Sequence, residues 1–301
     1  VHAQWGIVGA LGHSESLELV SHRGKVVALI GDRLEAVRSR SPMLMVVQPT
    51  DSVRFSARLV VVALLLCVGG CDSLDFEAKE SREIEVSLPP AMLVRCETHN
   101  GDVRLGRGAA GTVTGAAHVT ARGSSDAEAR DVLQRSTVIS EVIDGRLVMR
   151  IEGPKFASFD VAFDLTVPEG TPIEVATHNG DVTIDKTRAT VKVSNHNGRI
   201  FLDDVGPTVE IATHNGDVEL NLASLEPDCR VDSHNSTVTI HLDPRTSATV
   251  DASTHNGKLE VQAADGTISS GSPLRQVLGE GRGRIRVATH NGDARIDLRS
   301  R

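Results

Sequence analysis

The stretch Ile173-Glu174-Val175-Ala176-Thr177-His178-Asn179-Gly180-Asp181-Val182-Thr183-Ile184 reads as two short strands joined at a corner. Side chains alternate across a strand, so Ile173, Val175 and Thr177 share one face, and Val182 and Ile184 resume it beyond Asn-Gly. The same pattern returns with Val191, Val193 and Ile200, then with Val209, Ile211, Val218 and Leu220. Its signature is His-Asn-Gly or a near copy, at His99, His178, His196, His214, His234, His255 and His290. Seven of the twelve histidines lie in this motif. From His178 to His255 the steps are 18, 18, 20 and 21 residues. A near-fixed period of this length is the mark of a repeat fold.

One such unit cannot bury its apolar face, whereas stacked units bury a continuous Val/Ile/Leu core. The expected fold is all-β, a parallel β-solenoid or β-helix-like repeat domain with one short helix. The alternative is an antiparallel β meander with Asn-Gly as a two-residue hairpin turn. Identical corners at every step favour the solenoid.

Working outward, regular repeats are expected over about 171–262 in a β-strand-repeat domain spanning 82–301. Between His99 and His178 lies a 79-residue step with a helix expected at about 125–135, capped by Ser124 or Ser125 and led by acids. Strands follow over 137–142 and 147–151 about the turn Asp144-Gly145, then over 159–167. Between His255 and His290, residues 266–283 read as a Gly/Ser-rich loop leaving the coil.

Upstream, Arg54 and Arg58 precede the apolar run 59–68, which is too short to span a bilayer as a helix. It fits a secretory signal over 53–70. The ending Val68-Gly69-Gly70-Cys71 resembles the lipobox of bacterial lipoproteins, which implies lipidation of Cys71 and a tether over 71–81. Residues 1–52 show no clear periodicity and read as a mis-called upstream segment or as disordered. The chain begins with Val, and a translation start near Met43, Met45 or Val53 is expected. The expected location is the bacterial cell envelope, as a lipid-anchored protein facing the periplasm or exterior.

The chain carries a net charge of −8, and the first 71 residues hold +2 of it, leaving −10 for the rest. An acidic body excludes the basic stripe that nucleic acid requires. There is no Tyr, and the single Trp is Trp5, so the aromatic platform of a stacking-type sugar site is nearly absent, which argues against such a site. Cys96 and Cys229 fall on inward positions four repeats apart, roughly 19 Å at the usual strand spacing, so two buried free thiols are expected.

The Asn-Gly repeats between strands, the preceding helix and the strand ending Leu165-Thr166-Val167-Pro168-Glu169-Gly170 resemble the bacterial putative-adhesin family, domains of unknown function with β-strand repeats. The resemblance covers about 82–301 and implies no catalytic residues. The family usually has small polar residues before Asn-Gly, where this chain has His.

The corner residues Asn100, Gly101, Asn179, Gly180, Asn197, Gly198, Asn215, Gly216, Asn235, Asn256, Gly257, Asn291 and Gly292 suit a tight turn, because both types tolerate positive φ. Stacked Asn side chains can also bond along the coil axis. Ser236 replaces Gly in one copy, so that corner should be the most strained or differently shaped. If each Thr points inward, each His points outward, and the imidazoles form an exposed column. Neighbouring rings at His178, His196, His214, His234 and His255 are then candidates for sharing zinc, copper or nickel, with Asp181, Asp217 and Asp293 adding negative charge. The plainer reading is a polar stack without a ligand. Arg282, Arg284 and Arg286 read as a solvated face, and His118 and His241 as lone structural residues. No nucleophile elbow, phosphate loop or zinc-protease motif is present, so no enzyme is expected. The partners expected are a membrane through the lipid anchor and a protein or envelope component along the side of the coil.

Overall fold

The structure, a computed structural model, describes residues 76–155 and 157–298, together with the backbone of five short strands upstream. Four of those, Val8–Leu11, Glu15–His22, Lys25–Ile30 and Arg33–Glu35, form an antiparallel sheet within a separate unit, Val1–Arg54. The fifth, Val61–Val62, pairs with Ser81 and Arg82. The expected lipidation at Cys71 and the rest of the signal segment lie outside the described residues.

The repeat unit is a coil of two strands joined at His-Asn-Gly. Coil 1 is Leu93–Asn100 with Val103–Gly108, and coil 2 is Ile173–Asn179 with Val182–Asp185. Coil 3 is Val191–Asn197 with Ile200–Val205, and coil 4 is Thr208–Asn215 with Val218–Leu222. Coil 5 is Asp228–Asn235 with Val238–Leu242. Coil 6 is Ala248–Asn256 with Leu259–Gln262, and coil 7 is Gly283–Asn291 with Ala294–Leu298. First strands stack in parallel into one sheet and second strands into another. The parallel pairing selects the solenoid over the antiparallel meander.

The alternation seen in sequence becomes the core. Val175, Val193, Ile211 and Val231 form one inward row, while Val182, Ile200, Val218 and Val238 form another on the facing sheet, all at 0–1 % exposure. Cys96 and Cys229 are buried and free, and burial pushes both thiols up to about 12. They sit in coils 1 and 5, which are four steps apart in the sheet.

The 79-residue step after His99 builds a cap beside coil 1. The hairpin Thr137–Ile143 and Arg146–Glu152 extends the first sheet, and Ser158–Pro168, Thr112–Gly123 and Phe76–Ser87 extend the second. The last of these begins at Phe76, inside the stretch expected as a tether. The helix runs Asp126–Arg135; Glu128 N–H donates to Ser125 Oγ at 3.2 Å, and Glu128 accepts from Ser124 N–H at 2.8 Å. Its other end is held by Arg82, which is 8 % exposed and donates to Leu133 O at 3.0 Å and Ser136 O at 2.6 Å.

One expectation fails at the far end. Residues 266–283 are not a plain loop: Ile268–Ser270 and Leu274–Leu278 pair antiparallel with coil 6 and edge the two sheets. The stacking order also departs from the chain order. It runs 1-2-3-4-5-7-6, with coil 7 between coils 5 and 6 in both sheets. Every coil edge offers the same backbone ladder, so the period defines the coil without defining its neighbour.

Candidate functional site

The seven motif histidines form one outward column in the order His99, His178, His196, His214, His234, His290, His255. Adjacent ring centroids are 4.6–5.0 Å apart and the ring planes agree within 5°. The spacing is the strand spacing, so the backbone ladder sets it. Partial burial, then the like charges of His178 and His214, hold the His196 imidazole below its ordinary value.

Beside the rings runs an asparagine ladder. Nδ2 of Asn179 donates to Oδ1 of Asn100 at 2.8 Å, Asn197 to Asn179 at 2.7 Å, Asn215 to Asn197 at 2.9 Å and Asn235 to Asn215 at 2.8 Å. Asn291 donates to Asn235 and Asn256 to Asn291, each at 2.9 Å. Glycine alone carries the left-handed corner: φ is 121° at Gly101, 153° at Gly180, 125° at Gly198 and 135° at Gly216, whereas the motif asparagines keep negative φ. The need is steric as well as torsional, since a Cβ on Gly198 would lie 2.2 Å from Gly180 O. Ser236 meets this by leaving the left-handed region, and its Oγ is buried without a partner. Gly101, Gly180, Gly198 and Gly292 donate N–H to the Asn carbonyl of the adjoining coil. Among the described residues no such bond joins Gly216 to Asn235, beside the Ser236 corner. Ser236 N–H itself donates to Asn291 O at 3.1 Å, the bond that the glycine corners make.

The nearby aspartates serve the backbone. Asp102 Oδ1 accepts from Asp181 N–H at 3.0 Å, Asp181 from Arg199 at 2.8 Å, Asp217 from Thr237 at 2.9 Å and Asp293 from Lys258 at 2.7 Å. These bonds join coils 1–2, 2–3, 4–5 and 7–6, so Asp181, Asp217 and Asp293 each turn a carboxylate oxygen to a backbone N–H of the adjoining coil. Among the described residues no group of three or more His, Cys, Asp or Glu is placed to hold a metal ion. The stack itself explains why. Parallel rings point their in-plane lone pairs in parallel, while two nitrogens on one tetrahedral zinc must converge to about 3.4 Å. His178, His196, His214, His234 and His255 are thus brought together as a column without a shared coordination point.

The column borders an open groove of about 970 Å³. Ala176, Ser194 and Ala212 form part of its lining, and Arg150, Ile151 and Phe159 of the insertion line it at the coil 1 end. These insertion residues were not singled out from sequence, because only the fold carries them there. Next to the groove lies a charged row, Arg95, Glu174, Lys192, Glu210 and Arg230, in register across coils 1–5. Arg95 meets Glu174 at 2.9 Å, and Lys192 meets Glu210 at 3.2 Å. This alternation was present in the sequence at the repeat period. Elsewhere, Arg282, Arg284 and Arg286 are exposed as expected. His118 is exposed, whereas His241 Nδ1 stands 3.8 Å from the buried Asp297. No helix among the described residues is long and apolar enough to cross a membrane.

No curated protein matches the chain. Solved structures similar to it include two from bacteria. A putative cell adhesion protein from Clostridium sporogenes has 12 % identity and a TM-score of 0.42 over 73 % of this chain and 100 % of that one. A putative adhesin from Bacteroides fragilis has 11 % identity and a TM-score of 0.29 over 73 % of this chain and 97 % of that one. The family model described as Toastrack DUF4097 matches residues 66–297, which bear the coils, the helix and the insertion strands, and the chain belongs to that family.

Proposed function

We propose that the protein is a non-enzymatic β-repeat scaffold of the cell envelope, lipid-anchored at Cys71, that binds a protein or other envelope partner along its histidine face. The observation that carries the reading is the groove beside the column, with small residues in its lining and a charged row beside it. A rigid ladder presents such a surface without ordering cost, which favours binding along the side. The stacked imidazoles have one another as ring partners, an arrangement suited to a surface rather than to general-base chemistry.

The test uses the full chain in a bacterial host. Incorporation of labelled fatty acid that is lost in Cys71→Ser supports the anchor, and an unlabelled wild type removes it. A photo-crosslinking residue at Ser194, in the groove, should give partner adducts that the same residue at Arg104, on the opposite sheet, does not. Equal yields would sink the histidine face as the binding side. Calorimetric titration of zinc, copper and nickel, beside a His178→Ser/His196→Ser/His214→Ser variant, addresses metal binding. Micromolar or tighter binding that disappears in the variant would replace the scaffold reading with a metal-binding one.

A further inference from the structure

We infer that coil 7 is an exchangeable element, able to leave its slot between coils 5 and 6 and occupy the same slot in a second copy of this chain. The slot is built from two coils that share no ladder with each other; each is bonded to coil 7. On one side residues 228–233 pair with 284–289 and Asn235 with Asn291. On the other, residues 248–254 pair with 283–289 and Asn256 with Asn291. Both edges therefore read the same features of the incoming strand: the Asn rung, the tight Gly corner and the Thr-His alternation. A coil from another copy offers identical features, so the exchanged contact needs no new surface.

The alternative resting state is also encoded. Were coil 6 to close directly on coil 5, the Asn and His rungs would be retained, and Gly257 would take the place of Gly292 beside Ser236. The charged row shows that the two orders compete. Through coils 1–5 it alternates in sign, and coil 7 then sets Arg286 beside Arg230 before Asp251 of coil 6 restores alternation. Direct closure of coil 6 would set Asp251 beside Arg230. In favour of the observed order, Asp293 of coil 7 accepts from Lys258 N–H of coil 6, a bond that Thr237 of coil 5 has no carboxylate to make.

The linker permits the exchange. Twenty residues, 263–282, join coil 6 to coil 7 and span roughly 70 Å when extended. Gly266, Gly271, Gly279 and Gly281 within it take positive φ, and its two short strands leave Ile268 and Val277 more than half exposed. The second strand is held by Leu274 and Leu278, 7 % and 4 % exposed, so coil 7 leaves only when those two side chains are released or move with it.

The test places the two halves of one rung on different chains. Asp232 and Ala288 are register partners on the outward face of coils 5 and 7. Neighbouring strands hold their Cα atoms about 4.8 Å apart, within disulfide reach. Full-length Asp232→Cys and Ala288→Cys chains are mixed, passed through a brief urea cycle and oxidised with glutathione disulfide. The control pairs Asp232→Cys with Ala212→Cys, which lies in the same row on an interior coil. Coil exchange predicts a reducible dimer from the first pair, several-fold above the control. A yield equal to the control would overturn it. The native thiols of Cys96 and Cys229 are buried and raised to about 12, so they stay out of the reaction, and Cys67 and Cys71 are changed to Ser in every chain used. In a chain carrying both substitutions and oxidised beforehand, coil 7 is locked in place. Loss of exchange there supports the proposal, and a dimer that persists between locked chains overturns it.

Discussion

Coils 1–5 and coils 6–7 obey the same sequence rule and stack by different ones. In the first group each coil lies on the one before it, so neighbours in the chain are neighbours in space. In the second, the chain passes beyond coil 6, turns through two edge strands and returns to insert coil 7. The contrast teaches that a repeat specifies its own cross-section through side-chain alternation. It leaves the choice of neighbour to the connections and the ends. An interior coil is covered on both sides, whereas the terminal strands leave apolar side chains such as Ile268 and Val277 in water.

The sharpest way to break this comparison is to remove core volume at each place. Ile211 in coil 4 is 0 % exposed and Leu278 on the edge strand is 4 % exposed. Truncating a buried aliphatic residue to Ala costs about 2–5 kcal/mol, more where the surroundings cannot collapse. Ile211→Ala should fall near the top of that range, because coils 3 and 5 fix the cavity walls. Leu278→Ala should fall near the bottom. Urea midpoints that move equally would show that the end is as tightly held as the middle.

The second contrast concerns glycine. At Gly198 a Cβ meets Gly180 O at 2.2 Å with φ at 125°, while at Gly266 φ is 83° and no atom lies within 4 Å of the added carbon. Gly198→Ala should cost about 3 kcal/mol, the upper end for strained backbone. Gly266→Ala should cost about 1 kcal/mol, the left-handed penalty alone. Similar losses in thermal unfolding would mean that the corner tolerates a shift in coil spacing.

These contrasts also mark what was legible in the sequence. Inward and outward faces, the corner, the helix and the free thiols follow from period two, period eighteen and local capping, all of which are local signals. The column at His178, His196 and His214 was legible for the same reason, since parallel stacking in register converts a sequence period into a spatial line. The 5-7-6 order was not, because Asn256 and Asn291 present the same group to Asn235. The groove lining by Arg150 and Phe159 was equally hidden, as it depends on where a long insertion packs. The separate fates of the aspartates escaped too. Asp181 lies next to the histidine motif, yet which N–H it reaches depends on the coil beyond it.

The asparagine ladder refines the middle-against-end comparison on a smaller scale. Asn197 donates to Asn179 and accepts from Asn215, whereas Asn256, at the end of the row, makes only the bond to Asn291 among the described ladder residues. With about 0.5–1.5 kcal/mol for each hydrogen bond, Asn197→Ala should cost about 1–3 kcal/mol and Asn256→Ala about half of that. Equal costs in chemical unfolding would show that the rungs act independently of the ladder.

The smallest expected effect is the dependence of stability on protonation of the column, and its sign is fixed by the stack. His196 is held below its ordinary value of 6.5 by partial burial and then by the neighbouring imidazoles. The unfolded chain therefore takes up this proton at higher pH than the folded chain does. Stability is fully present above the unfolded value, and it falls as pH drops through that value toward the folded one. The comparison is made over a window from about pH 7.5 to 5.5, which brackets the ordinary imidazole value. Unfolding midpoints in that window should fall for the wild type and fall less for His178→Ser/His196→Ser/His214→Ser. Matching slopes would mean that water screens the rings from one another even at 4.6 Å, leaving the column as geometry imposed by the strands and not as an electrostatic unit.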